Sequence, residues 1–297
     1  MKPADPKKIE LLIEKVEKEY GKGSLFRLGD NAPIEIARVE TGLPDLDWAM
    51  GGGLPEGRIL ELYGANSAGK TSLAYHLMAR YPQVLFIDAE GTFDEDLCRA
   101  YGNADNEILI RKPQWGEQAF ELLYQFAEAG IPLIVVDSIP ALIPRKDYEE
   151  DDMEKNAQIG AVARLMSRKL PRLVHLCEQS GTTIIFINQV RSKIGILFGD
   201  PLDTPGGHAF KHFCSLRLQL ARKSWFDHAK LGRYGQICRL RVVKSKVCAP
   251  MREAELNLIF GRGFVGADQV AVLRKEMLKD FRARAVQDNS QEGDEES

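Results

Sequence analysis

Gly64-Ala65-Asn66-Ser67-Ala68-Gly69-Lys70-Thr71 fits G-x-x-x-x-G-K-[ST] at every fixed position, and no other stretch constrains the chain as much. Such a loop works between a strand and a helix. Arg58 to Tyr63 before it is apolar-rich and reads as a strand, and Thr71 to Tyr81 after it reads as a helix with Leu73, Leu77 and Met78 on one side. Gly64 and Gly69 let backbone N–H groups curl around phosphate oxygens at the positive end of the helix dipole. Lys70 is expected to reach the β- and γ-phosphates, and the Thr71 hydroxyl to ligate Mg²⁺. The bland alternative is an unliganded Gly-rich turn, which has no use for Lys-Thr at that offset.

The surrounding pattern alternates strand and helix. Val84 to Ile87, Ile108 to Ile110, Leu133 to Val136 and Thr182 to Asn188 are short apolar strands. Between them lie helical stretches near Glu95 to Tyr101, at Trp115 to Ala129 and at about 156–179, the last adjusted at Pro171. This predicts an α/β fold: a mostly parallel sheet covered on both faces, with ligands at the carboxyl ends of its strands. From residue 215 the texture changes. Ser215 to Arg222, Gln236 to Lys246 and Ala254 to Phe260 are strand-like with short connections, suggesting an antiparallel extension. Ahead of the core, Asp5 can cap and Pro6 can start a helix whose Ile9, Leu12, Ile13, Val16 and Tyr20 share one face. That stripe has two candidate partners, its own domain or a neighbouring subunit. Residues 268–284 read as a basic helix. The stretch from Gln287 to Ser297, with five acids and no base, reads as disordered. The expected organisation is therefore an N-terminal helix and linker at 1–33, a core at 34–262, and a short helix with an acidic tail at 263–297.

Five cysteines, none in Cys-x-x-Cys, argue against a disulfide framework or zinc site and for a reducing compartment. No run suits a membrane span or a signal peptide, so a cytoplasmic protein with no membrane partner is expected. A net charge of −3 means that an anionic partner must be met locally.

Three carboxylates lie at strand ends. Asp137, at the tip of Leu133 to Val136, suits Mg²⁺ held through water. Asp88 and Glu90 follow another strand, and Glu90 at the exit is the better candidate to deprotonate an attacking water. Each could instead be an ordinary exposed acid. Gln189 ends the next strand, where an amide could sense a γ-phosphate and pass its loss to the following segment. That segment, 190–207, carries Arg191 and Lys193 beside Ile194, Ile196, Leu197 and Phe198, and ends in Gly206 and Gly207. Cations with apolar side chains on a loop suit a nucleic-acid strand. Arg164, Arg168, Lys169 and Arg172 share one helix, and Gly207 to Lys246 holds ten bases against one acid, Asp227. This segregation points to an anionic partner surface, with a merely solvated face as the alternative for the outer strands. Six acids crowd the loop between Lys146 and Lys155.

These stretches, together with Gly21-Lys22-Gly23-Ser24 and Val242-Val243-Lys244-Ser245-Lys246, resemble the bacterial RecA recombinase family in order and spacing from about residue 7 to 262. The resemblance implies a RecA-type ATPase core that uses ATP and Mg²⁺ and assembles into a helical filament. It implies that this filament coats single-stranded DNA and pairs it with duplex DNA. It gives the phosphate loop, Gly64, Ala65, Asn66, Ser67, Ala68, Gly69, Lys70 and Thr71, to the nucleotide, Asp137 to the metal, Glu90 to water activation and Gln189 to the γ-phosphate switch. Lys244 and Lys246 match lysines that reach a neighbour's ATP. Ile159 and Ile194 match base wedges, and Arg164 a DNA-contacting position. The N-terminal helix matches one that docks on the adjacent subunit.

Departures accompany the match. Leu97 stands where the family stacks a tyrosine on adenine, although Asp94 at the adenine edge is kept. His212 replaces an interface aromatic, and Pro171 a basic DNA contact. The chain is expected to be a shortened, divergent member, ending about where a C-terminal duplex-gathering domain would start. Two other functions stay open: an accessory or motor ATPase of the same fold, and a DNA-binding filament protein with little catalysis.

Overall fold

The computed structural model of the chain describes residues 3–21, 24–25, 36–149, 155–192 and 202–295, and their side chains except at 155–159, 191–192, 202 and 284–295. Met1–Ala37 and Arg38–Ser297 are separate units. In the first, Asp5 accepts a hydrogen bond from the Lys7 N–H (3.1 Å), Pro6 opens helix α1 (Pro6–Tyr20), and Gly21 at φ 99° ends it. No residue of α1 is buried.

The second unit runs β1 (Arg38–Val39), α2 (Pro44–Met50), β2 (Leu54–Pro55), β3 (Ile59–Gly64), α3 (Lys70–Met78), β4 (Gln83–Asp88), α4 (Glu95–Cys98), β5 (Glu107–Arg111), α5 (Gly116–Glu128), β6 (Leu133–Asp137) and α6 (Arg145–Glu149). It continues through α7 (Lys155–Ser180), β7 (Thr183–Gln189), β8 (Arg191–Ser192), β9 (Leu202–Asp203), α8 (Gly207–Phe213), β10 (Leu216–His228), β11 (Gly232–Ser245), β12 (Glu253–Ile259), β13 (Gly263–Val265) and α9 (Ala267–Glu295). Among the described residues one large sheet forms in the order β13-β12-β11-β10-β3-β7-β6-β4-β5. Neighbours from β10 to β5 run parallel, and β10 through β13 are antiparallel. The α/β sheet with an antiparallel extension is thus as read from the sequence.

Side chains alternate across the pleat and bury on both faces. Leu60, Leu62, Phe86, Val135 and Ile187 join a core with α2 and α3, whereas Ile59, Ile87, Val136 and Phe186 join another with α5, α7 and α8. Each large apolar side chain so buried contributes roughly 1.5–3 kcal/mol relative to exposure. Both faces being covered leaves the strand ends as the place for polar chemistry.

Three local readings change. Helix α7 passes through Pro171 without a break. Proline forgoes one N–H bond, but the stripe Met166, Leu170, Leu173 and Cys177 is fully buried and holds the axis in place. The β10–β11 hairpin is longer than the apolar pattern suggested, because beyond Gln219, where pairing with β3 ends, its strands go on pairing with each other. The backbone of α9 continues to Glu295, through most of the acidic stretch read as disordered. No proline interrupts that stretch, Arg282-Ala283-Arg284-Ala285 just ahead of it are good helix formers, and so are its own Gln and Glu residues.

Candidate active site

The Gly64–Thr71 loop leaves β3 and enters α3, the strand–loop–helix setting that its pattern required. Gly64 admits no side chain, since a Cβ there would stand 2.0 Å from the Leu220 carbonyl oxygen on neighbouring β10. Close packing of the loop against β10 therefore sets the first glycine. Lys70 is 9% exposed, and its ammonium donates to the carbonyls of Gly64 (3.1 Å) and Ala65 (2.9 Å). Burial lowers its pKa, opposed by Asp137 and Glu90. A buried cation facing two carboxylates at the N-terminus of a helix is a site for anionic oxygen.

The ends of β4, β6 and β7 close around it. Thr71 Oγ1 donates to Asp137 Oδ2 at 2.8 Å. Asp137 is buried, and that burial pushes its pKa up to about 6, with Glu90 and Asp88 adding to the rise and the Thr71 hydrogen bond and Lys70 opposing it. Its carbonyl accepts the N–H groups of Ala89 (2.7 Å) and Glu90 (3.2 Å), which pins the exit of β4 to that of β6. The Asp137–Ser138 peptide is cis. Glu90 Oε1 accepts from Ser138 Oγ and from Gln189 Nε2, the latter at 3.0 Å. The candidate base and the candidate switch are thus hydrogen-bonded to each other. Asp88 is occupied otherwise: its carboxylate accepts the N–H groups of Gly91 (2.8 Å), Thr92 (2.9 Å) and Phe93 (3.3 Å) and holds the turn after β4.

Beside the loop lies a cavity of about 310 Å³ whose walls include Ser67, Ser72, Leu97, Trp225, Gln236 and Phe260. Leu97 is thus one of the residues that line the cavity. Asp94 caps α4, accepting the Leu97 N–H at 2.9 Å.

A family model described as the RecA N-terminal domain matches residues 7–265. The chain belongs to the RecA family. It is 39% identical over 266 residues to Protein RecA of Rippkaea orientalis, an alignment covering 88% of this chain and 76% of the relative. To Protein RecA of Syntrophus aciditrophicus it is 42% identical over 277 residues, 91% of this chain and 80% of the relative. To that of Salinispora tropica it is 38% identical over 288 residues, 92% and 81%.

The remaining residues singled out by the RecA resemblance scatter more widely. Arg164 and Arg168 are exposed on α7 and line, with Lys169, Lys146 and Asp147, a cavity of about 610 Å³ beside α6. Lys193 and Ile194 lie outside the described residues, as do the side chains of Arg191 and Ile159. Arg191–Ser192 and Leu202–Asp203 pair antiparallel as β8 and β9, which the Gly-rich sequence of 190–207 did not suggest. Gly206 and Gly207 start α8, and a Cβ on Gly207 would stand 2.9 Å from the Ala163 side chain of α7, so that glycine lets α8 pack on α7. Lys246 is exposed. Lys244 is turned inward: its ammonium donates to the carbonyls of Lys211 (2.5 Å), His212 (2.7 Å) and Cys214 (2.9 Å), at the C-terminal end of α8, where a cation complements the helix dipole.

One group escaped the sequence reading. Glu61, fully buried on β3, is ion-paired with Arg217 of β10 and accepts from Asn188 Nδ2 at 2.8 Å. Arg217 also donates to Thr204 Oγ1 (3.2 Å), and Asn188 to the Pro205 carbonyl (2.9 Å). The network therefore ties the strand before Gln189 to the return of the 190–207 segment. Its signal was available: a carboxylate inside an apolar strand must find a cation.

Proposed function

We propose that this chain is an ATP-dependent DNA recombinase, which forms filaments on single-stranded DNA, pairs that strand with homologous duplex, and hydrolyses ATP in a DNA-dependent manner. The observation that carries this reading is the joining of Glu90 to Gln189, next to Thr71–Asp137, in a chain of the RecA family. Gly64 to Thr71 bind the phosphates through backbone N–H groups, and Lys70 leaves its loop carbonyls for the β- and γ-phosphate oxygens. Thr71 and Asp137 offer hard oxygen donors that fit Mg²⁺, and the buried Asp137 gains from a cation that keeps it ionised. Held by Thr71 and Asp137, Mg²⁺ would supply positive charge against the phosphoryl oxygens. Glu90 orients a water and takes its proton as the oxygen attacks the γ-phosphorus and the bond to the bridging oxygen breaks, giving ADP and phosphate. Gln189 can give its amide N–H either to Glu90 or to a γ-phosphate oxygen. The choice between them is a two-state contact at the root of the 190–207 segment.

On the DNA side, Arg164, Arg168, Arg191 and Lys193 contact phosphates, Ile159 and Ile194 meet bases, and Gly206 and Gly207 carry the loop's return. Asp94 and Leu97 lie at the base of the nucleotide. Lys244 and Lys246 reach a neighbouring subunit's ATP, and for Lys244 this requires release from the end of α8. The N-terminal helix and linker, residues 1–33, dock on the adjacent subunit. The deciding experiment is ATP hydrolysis with and without single-stranded DNA. Stimulation by DNA, followed by strand exchange, is the expected result. DNA binding with no change in turnover would show that loop and phosphate site are uncoupled, and would refute the proposed activity in favour of a structural filament.

A further inference from the structure

The 310 Å³ cavity beside the phosphate loop lies near the lower end of the range for ligand pockets, roughly 300–1,000 Å³. Its walls are unequal. Ser67 and Ser72 on one side belong to the loop and the first turn of α3, so this side meets the sugar-phosphate end of anything held by Lys70. The opposite wall is apolar. Leu97 there has no ring, and Tyr101 is buried and packed edge-on against Tyr75. The rings on this side of the cavity that are not buried are those of Trp225, partly exposed, and Phe260, 41% exposed, whose centroids stand 6.3 Å apart in an edge-on pair. Arg222 and Arg233 set guanidinium groups 4.1 and 4.9 Å from the Trp225 ring centroid, which steadies the indole and makes this wall electropositive. Gln236, 1% exposed and also on the cavity wall, donates its amide N–H to the Ser67 carbonyl at 3.4 Å and so ties the hairpin to the loop beside the cavity.

We infer that Trp225, on the β10–β11 hairpin, is a specificity-determining residue that packs against the base of the bound nucleoside triphosphate. The inference rests on the nucleotide reading of the phosphate loop. It moves the aromatic contact from the α4 side of the cavity, where Leu97 stands, to the hairpin, and so makes base affinity depend on a part of the chain remote in sequence from the loop.

The test measures the binding of Mg-ATP and of Mg-tripolyphosphate to the full chain and to its Trp225→Ala and Trp225→Phe variants. Base–aromatic packing predicts that Trp225→Ala weakens ATP about tenfold, leaves tripolyphosphate unchanged, and is largely rescued by Trp225→Phe. With Trp48 and Trp115 replaced by Phe, ATP should alter the emission of Trp225 while tripolyphosphate should not. Unchanged ATP affinity in Trp225→Ala overturns the inference. So does a parallel loss of both ligands, the mark of a structural role. If the unsubstituted chain binds neither ligand, or Lys70→Ala binds both as well as the parent, the phosphate-loop reading fails first and this inference falls with it.

Discussion

The phosphate side of the molecule and its candidate nucleic-acid side are built differently. On the phosphate side, Thr71, Glu90, Asp137 and Gln189 come from four separate elements, yet Thr71 bonds Asp137 and Gln189 bonds Glu90. They sit at the ends of parallel strands whose two faces are buried, so the backbone carries them to fixed places. On the other side, Arg164 and Arg168 project from the exposed face of one helix, and Arg191 lies beyond the end of β7. The difference follows from the tasks proposed. Phosphoryl transfer is sensitive to ångström-scale placement of base, water and metal, whereas a polyanionic strand is held by spaced cations that tolerate movement. Besides the Glu90–Gln189 contact, the Glu61–Arg217–Asn188 network joins the two, through Thr204 and Pro205.

Substitutions can break this contrast at decreasing cost. Lys70→Ala removes the one lysine of the phosphate loop, and phosphate release by this variant should fall to background with and without DNA; normal turnover would return the loop to the status of a plain turn. Glu90→Gln keeps the shape and the contact to Gln189 but cannot take a proton. Its turnover should drop about 10²- to 10⁴-fold, while filter binding of ATP and single-stranded DNA stays near the parent's; full activity would leave Glu90 no role as base. Glu61→Ala strands Arg217 against a buried wall and should cost on the order of 3–5 kcal/mol in urea unfolding. A shift of the urea midpoint too small to measure would mean that the network does not join the two sides. The combined Arg191→Ala and Lys193→Ala change should spare DNA-independent hydrolysis. It should flatten the slope of log affinity for single strands against log salt by about 1.4, two phosphates at roughly 0.7 each. An unaltered slope would move the DNA contact off this segment.

Much of the phosphate side was legible in the residues alone. Gly64 to Thr71 is a contiguous pattern, and Asp137, Glu90 and Gln189 each close a recognisable apolar strand. The preference of Glu90 over Asp88 rested on its place at the strand exit; Asp88 accepts three backbone N–H groups, whereas Glu90 accepts from Gln189. The Lys244 reading was legible only as a position within a motif. Its contact with the end of α8, like the β8–β9 pair, depends on chain segments whose own sequence carries no strong periodicity.

The sequence by itself determined the loop, the alternation of apolar strand and helix, the family, and which residues stand at strand exits, because each is written in neighbouring residues. Tertiary structure alone decided that Arg217 neutralises Glu61, 156 residues away, that Trp225 and Gln236 wall the cavity beside Ser67, and that Lys244 rests on α8. These pairings follow from β10 lying next to β3 in the sheet. Strand order is set by how the whole core packs, and no local pattern encodes it.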